Sequence, residues 1–269
     1  MKAHSLGFIG GGRITRLFLT GWQRAKINLK GITVSDKEPD VLARLSQLFP
    51  AVQTTLDNTI PAKKDIVFIA LHPPAIRTAL PSLKGVINPT ALVVSLAPVI
   101  TFTELRQLLN HSRLVRMIPN APSMIGKGYN PVAFSPEIGK EERQSLEPLF
   151  SVLGDYPESP EETLEAYAIL SAMGPTYFWF QWQNLRDLGE KFGLKPVDTD
   201  RALLKMIEGA AQLLLASGLN PADVLDTIPL KPLAAIENTI TSTTKEKLLT
   251  LYQKLKDASC EHLKRTGKS

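Results

Sequence analysis

Gly10, Gly12 and Thr15 follow the apolar run Leu6–Ile9 directly and open a helical stretch, in the spacing GxGxxT. That arrangement suits a pyrophosphate. Gly10 allows the tight turn, Gly12 lets the backbone come close, and the helix N-terminus offers unpaired N–H donors and the positive end of its dipole. Arg13 and Arg16 add charge beside the turn, on either side of Ile14 and Thr15. Thr15 replaces the third Gly or Ala of the fingerprint and is expected to hold the helix slightly further from the sheet. Asp36 follows the second predicted strand, where such a fold places an acidic residue for a ribose hydroxyl. An aspartate there accepts from a free 2′-hydroxyl and repels a 2′-phosphate, whereas Ser35 and Lys37 beside it could hold that phosphate, so NAD and NADP both stay open.

Other chemistry is sparse. Four histidines are scattered, no Ser/His/Asp grouping or metal-ligand spacing stands out, and the single cysteine, Cys260, can form no internal disulfide. Cys260 has no activating neighbours in its charged segment, which argues against a reactive thiol. His72, Pro119 and Asn120 each follow a predicted strand, at the edge where open α/β folds bind ligands. His72 reads equally as a surface turn residue, and Pro119-Asn120 as part of a β-turn. The run Tyr177, Phe178, Trp179, Phe180, Trp182 is apolar on more than one helix face and predicts burial, in a core or in a subunit interface.

The elements that must position these residues alternate. Strands are predicted at 6–9, 32–34, 66–71, 91–96 and 114–118, and helices at 13–23, 40–48, 76–83, 102–109 and 141–153. Continuously apolar strands separated by helices imply a parallel sheet covered on both faces, a doubly wound, Rossmann-type α/β domain. After the turn-rich 154–160 only helical periodicity remains, at 164–172, 176–192, 198–217, 221–228 and 243–263. The expected division is a dinucleotide-binding domain over 1–158 and an all-helical domain over 159–269.

A chain of 269 residues with 43% hydrophobic and 21% charged residues can bury a sizeable core, which excludes disorder and collagen-like repeats. The net charge of +5 sits largely in 245–268, where bases and acids alternate without interleaved aromatic residues, so nucleic acid is not expected as a partner. No apolar run approaches the roughly 18 residues of a membrane helix and no signal peptide opens the chain, so the expectation is a cytoplasmic protein without a membrane partner.

The opening GFIGGGRI, Asp57 with Asn58, the turn Ala70–Pro73, the segment VRMIPNAP over 115–122, LSAMGPTY over 170–177 and the helix 209–218 together resemble the pyrroline-5-carboxylate reductase family, in order and over nearly the whole chain. The resemblance implies an NAD(P)-dependent oxidoreductase that passes hydride to a cyclic imine, with NADP the favoured cofactor, a small-molecule substrate and a homodimer formed through the helical domain. A protonated imine is already electrophilic, so no general acid is obligatory. Cofactor contacts are expected from Gly10, Gly12, Arg13, Ile14, Ser35, Asp36, Lys37, Asn58, Ala70, His72, Pro73, Ala97 and Asn120. The substrate side is expected at Asn120, Met173, Gly174, Pro175, Lys231 and Ala235.

The chain departs from that pattern at His72 (lysine in the family), Pro98 (glycine) and Met173 (serine). The largest break is DTIPLKPLAAI over 226–236, where Ala234 and Ala235 stand in place of two threonines and Leu230 in place of a serine. A pocket that loses hydroxyl donors and gains apolar bulk should reject a small anion, because a buried carboxylate left under-satisfied costs on the order of several kcal/mol. Lys231 could replace the donors as a point charge. The expected substrate is therefore larger or less acidic than the family's. Two rivals remain: a non-catalytic nucleotide-binding dimer, and a deazaflavin-dependent NADP oxidoreductase, whose opening looks alike.

Overall fold

The computed structural model describes residues 4–266, with side chains through Ser259; the Cys260 thiol lies outside the described residues. The strands are β1 (Leu6–Ile9), β2 (Thr33–Ser35), β3 (Gln53–Thr55), β4 (Ile66–Ile69), β5 (Leu92–Ser95), β6 (Leu114–Met117), β7 (Gly128–Tyr129), β8 (Val132–Phe134) and β9 (Gly154–Asp155). The helices are α1 (Arg13–Arg24), α2 (Pro39–Leu48), α3 (Thr59–Ala62), α4 (Pro73–Ala79), α5 (Phe102–Leu109), α6 (Lys140–Phe150), α7 (Leu164–Tyr167), α8 (Pro175–Lys191), α9 (Pro196–Ala216), α10 (Pro221–Asp226) and α11 (Ala234–Thr266).

The main sheet has the order β3-β2-β1-β4-β5-β6-β8, and its first six strands are parallel. This is the doubly wound Rossmann arrangement, with its switch point between β1 and β4. The seventh strand, β8, is antiparallel to β6, because the connection from Met117 to Val132 carries no crossover helix and simply turns back. β7 and β9 form a separate parallel pair.

Every residue of β1, β4, β5 and β6 is buried, as a sheet covered on both faces requires. Period two divides them between two cores. On one face Phe8 stacks on Phe68 at 4.6 Å between ring centroids, and α1 lays Phe18 and Trp22 against both. Trp22 still satisfies its indole N–H, which donates to the Leu149 carbonyl at 2.7 Å. On the other face Ile9, Val67, Ile69 and Val93 pack with Ile76, Leu80, Leu105, Leu164 and Ala168.

The chain forms two compact units: the first runs through Met173 and resumes at Leu251, and the second is Gly174–Thr250. The break expected after Glu158 falls inside the first unit. Ser159 donates its amide to Val132 at 2.8 Å, and Leu164 and Ala168 are buried in the second core, so this segment is part of the sheet's cover. The segment is also not one regular helix: α7 gives way to a π-helical stretch over Ala168–Ala172. The second unit is helical throughout, from α8 to α10 and the first part of α11.

Candidate cofactor site at the carboxyl edge

Because β1, β4 and β5 are parallel, the loops that follow them share one edge of the sheet. The loop after β1 is wedged between its neighbours. Gly10 donates its amide to the Ser35 carbonyl at 2.7 Å, and Ala70, just past β4, donates to Ile9 at 2.8 Å. Gly10 has φ +103, and a Cβ there would lie 2.5 Å from the Ala70 carbonyl oxygen, so both backbone conformation and space demand glycine. Gly12 differs: a Cβ built on it meets nothing within 4 Å. Its freedom from side chain leaves backbone open beside the start of α1.

The first turn of α1 has no side-chain cap and no acidic residue. Its N–H groups and the dipole end are thus available to an anion, with exposed Arg13 and half-buried Arg16 close in sequence. Thr15 stands where the fingerprint has its third Gly or Ala. It is fully buried and its hydroxyl donates to the Gly10 carbonyl at 2.5 Å, tying helix to turn from within. Ile14 is partly buried against the first core.

Asp36 braces the same turn. Its Oδ2 accepts from the Gly11 amide at 2.8 Å and its Oδ1 from the Glu38 amide at 3.0 Å, while the residue stays half exposed. Ser35 is fully buried and donates its hydroxyl to Asn58 Oδ1 at 2.7 Å. Its hydroxyl is therefore turned into the protein and joins Asn58 to the end of β2. Lys37 projects into solvent beside Glu38. His72 is exposed at the N-cap of α4, with Pro73 in the first turn. Ala97 is buried after β5.

Asn120 is buried and both ends of its amide are engaged within the first unit. Nδ2 donates to the Ser171 carbonyl at 3.2 Å, in the π-helical stretch, and Oδ1 accepts from the Tyr129 amide at 3.1 Å. It joins β6's exit to β7 and to the segment leading to half-buried Met173. In the second unit Pro175 begins α8 after buried Gly174, while Lys231 and Ala235 are exposed around the start of α11. Lys231 and Leu233 there line a groove of about 350 Å³ that also includes Ala234, Glu237 and Ile240.

One buried cluster leaves no local signal in the sequence. Arg116, 1% exposed on β6, donates to Glu165 at 2.8 Å and to Glu161 at 2.8 Å. The same two carboxylates accept backbone amides from the loop after β5: Val99 to Glu165 at 3.0 Å and Phe102 to Glu161 at 2.6 Å. Val99 has φ +76, a conformation that costs a β-branched residue about 1–3 kcal/mol.

The aromatic run of α8 is not enclosed by its own chain: Phe178, Trp179 and Phe180 are 49–67% exposed. These three rings do not enter a core of the single chain, the first of the two settings expected for the run, while Tyr177 and Trp182 are half-buried. Between Pro175 and Thr250 no apolar side chain is buried at all. Among the described residues no helix is long and apolar enough to cross a membrane.

Residues 5–98 match the family model for NADP oxidoreductase, coenzyme F420-dependent. The chain is 26% identical over 226 residues to pyrroline-5-carboxylate reductase of Pseudomonas aeruginosa, spanning 83% of each chain. Among solved structures, pyrroline carboxylate reductase of Plasmodium falciparum, with NADP bound, superposes with a TM-score of 0.81 at 20% identity, over 96% of this chain and 99% of the other. Pyrroline-5-carboxylate reductase of Coxiella burnetii gives a TM-score of 0.68 at 26% identity and 99% coverage of both.

Proposed function

We propose that the protein is an NAD(P)-dependent oxidoreductase of pyrroline-5-carboxylate reductase type, acting on a cyclic imine or a related small electrophile. The observation that carries this reading is the glycine wedge at the β1/β4 switch point followed by an uncapped helix start. Gly10 admits no Cβ, Gly12 leaves open backbone, and the N–H groups of α1 face no carboxylate of their own turn. The residues present therefore fit a dinucleotide. Arg13 and the amides of α1's first turn would hold its pyrophosphate; Asp36 and Lys37 stand at the ribose end.

A bound nicotinamide nucleotide supplies hydride. The protein's own part is to orient two reactants and exclude water, tasks worth about 7–11 kcal/mol in well-aligned systems without any proton-transferring side chain. NADP is the favoured nucleotide on the likeness to the reductases above, although the Asp36 carboxylate disfavours a 2′-phosphate. The substrate is proposed to be larger or less acidic than pyrroline-5-carboxylate, because Leu230 and Ala235 bring no hydroxyl donors to the segment ahead of α11 and into its first turn.

The second unit is proposed to pair with a second copy of the chain. Leu204, Leu213, Leu214, Leu215 and Ile240 are all exposed in one copy, and apolar surface of that extent needs a partner. The site of action is proposed to be the cytoplasm.

The test is thermal denaturation with NADPH or NADH at millimolar concentration, followed by oxidation of the reduced nucleotide with a panel of cyclic imines. The reading expects a rise of several degrees, by mass action on the folded state, and turnover with an imine lacking the carboxylate. An unmoved melting curve with both nucleotides defeats it. Binding without turnover points to the non-catalytic dimer. The match to an F420-dependent model over the first third of the chain favours a second reading, a reductase that exchanges hydride with a deazaflavin; direct assay of deazaflavin reduction decides that case.

A further inference from the structure

The loop from Ala97 to Thr101 leaves β5 at the same edge as the glycine turn, and it forms the wall of that edge on the β5 side. Pro98 suits the residue before such a bend, but the position after it, with φ positive, is ordinarily filled by glycine. Val99 is β-branched, yet stands at φ +76, a region that glycine enters freely and valine avoids. Such a conformation persists only where surroundings over-determine it.

Here the surroundings are specific. Glu165 Oε1 accepts the Val99 amide at 3.0 Å and Glu161 Oε1 the Phe102 amide at 2.6 Å, so one carboxylate grips each end of the bend. Both carboxylates are fixed by the two terminal nitrogens of Arg116, each at 2.8 Å. Arg116 and Glu165 are 1% and 4% exposed, which removes solvent as a competitor. Hydrogen bonds to a charged acceptor in such surroundings are stronger than those between neutral groups.

A buried ion pair is weak evidence for stability as such, since apolar residues of equal volume often serve as well. This pair has a second role. We propose that Glu165, oriented by Arg116, is a positioning residue that holds Val99 in its left-handed conformation and so sets the shape of the β5 wall against which the nicotinamide nucleotide binds. This rests on the dinucleotide reading above. Glu165 does not touch the nucleotide in this account; it acts through the backbone of residues 97–100.

Glycine at 99 would adopt the same φ without being held, which separates positioning from stability. Glu165→Gln should weaken NADPH affinity, read by fluorescence titration, by roughly tenfold, and speed amide hydrogen exchange at Val99 and Phe102. Adding Val99→Gly should restore affinity to within about threefold of the wild type, while the melting temperature stays as low as in Glu165→Gln. A role in stability alone predicts no such rescue.

Where Glu165→Gln fails to fold, Glu165→Asp keeps the charge opposite Arg116 and draws the carboxylate back from Val99; it is tested in the same pair with Val99→Gly. Unchanged NADPH affinity in a folded Glu165 variant overturns the proposal, as does a double variant that binds no better than the single one. If the wild-type chain binds neither NADPH nor NADH, the dinucleotide reading has failed. The exchange measurement then still decides whether Glu165 holds the loop: unaltered exchange at Val99 in the variant refutes it.

Discussion

Asp36 and Gly11, 25 positions apart, are joined by a 2.8 Å hydrogen bond from the glycine amide to the aspartate Oδ2. The carboxylate at the end of β2 therefore does two things: it braces the turn after β1 and puts negative charge at the ribose end of the proposed nucleotide. Asp36→Ala should cost about 1 kcal/mol of stability, the bond being half open to water. It should also raise affinity for NADPH relative to NADH by about tenfold as the repulsion of a 2′-phosphate disappears. Chemical denaturation and paired titrations with the two nucleotides measure these effects separately. Equal changes in both affinities would show that the carboxylate serves the turn alone.

The two glycines of the turn should part company on substitution. Gly10→Ala meets both a positive φ and the Ala70 carbonyl at 2.5 Å, so it should destabilise the fold by more than about 2 kcal/mol. Gly12→Ala meets no protein atom and has φ −70, so the melting temperature should stay within a degree or two. Its methyl group would nevertheless stand at the proposed pyrophosphate site, and nucleotide affinity should drop by roughly tenfold or more. A Gly12→Ala variant that binds NADPH normally would move the phosphate site away from α1.

His111 gives the fold a pH dependence of known sign. Its half-buried ring shares a 2.9 Å hydrogen bond with the Ala91 carbonyl. Burial, with a smaller contribution from the charge of Arg113, holds its pKa below the ordinary histidine value, even though the bond to Ala91 acts the other way. The unfolded chain therefore takes up the proton first. Stability from this residue is complete above about pH 6.5 and is lost as pH falls through that value and then through the folded-state pKa. Replacing His111 by Gln should flatten the fall in unfolding free energy between pH 7 and pH 5. An identical slope in the variant would assign the fall to other groups.

Leu214→Glu, on the exposed apolar surface of α9, should split the proposed dimer into monomers in sedimentation at micromolar concentration, because a charge placed in a buried apolar interface has no partner. Helical content should fall with it, since the second unit of a single copy buries no apolar side chain. A wild-type chain that sediments as a stable monomer would refute the pairing.

How far the sequence discloses all this depends on the range of the interactions. Ile66–Ile69 and Leu92–Ser95 declare themselves as buried parallel strands, because two covered faces leave no room for polar alternation. Gly10 is legible for a different local reason, the GxG spacing directly after such a strand. The edge strand β3 is not: Gln53, Thr54 and Thr55 are short and polar, and only pairing with β2 makes them a strand. Arg116 reads as an interruption in an apolar run, since its partners Glu161 and Glu165 stand 45 and 49 residues away. Ser35 shows no preference between solvent and Asn58 until β2 is in register beside β1. The π-helical stretch at Ala168–Ala172 has no periodicity of its own, and the residues before it belong to the first unit because their carboxylates reach Arg116.

The chain leaves the first unit after Met173 and re-enters it at Leu251, so the helical unit is an insertion with two covalent attachments and no free end. A truncation at Thr250 would thus fail to isolate the α/β part intact, since it strips away returning chain such as Lys256, whose ammonium donates to the Glu162 carbonyl at 3.2 Å. Excising 174–250 and splicing the cut ends through a flexible bridge is the route to a free-standing nucleotide module.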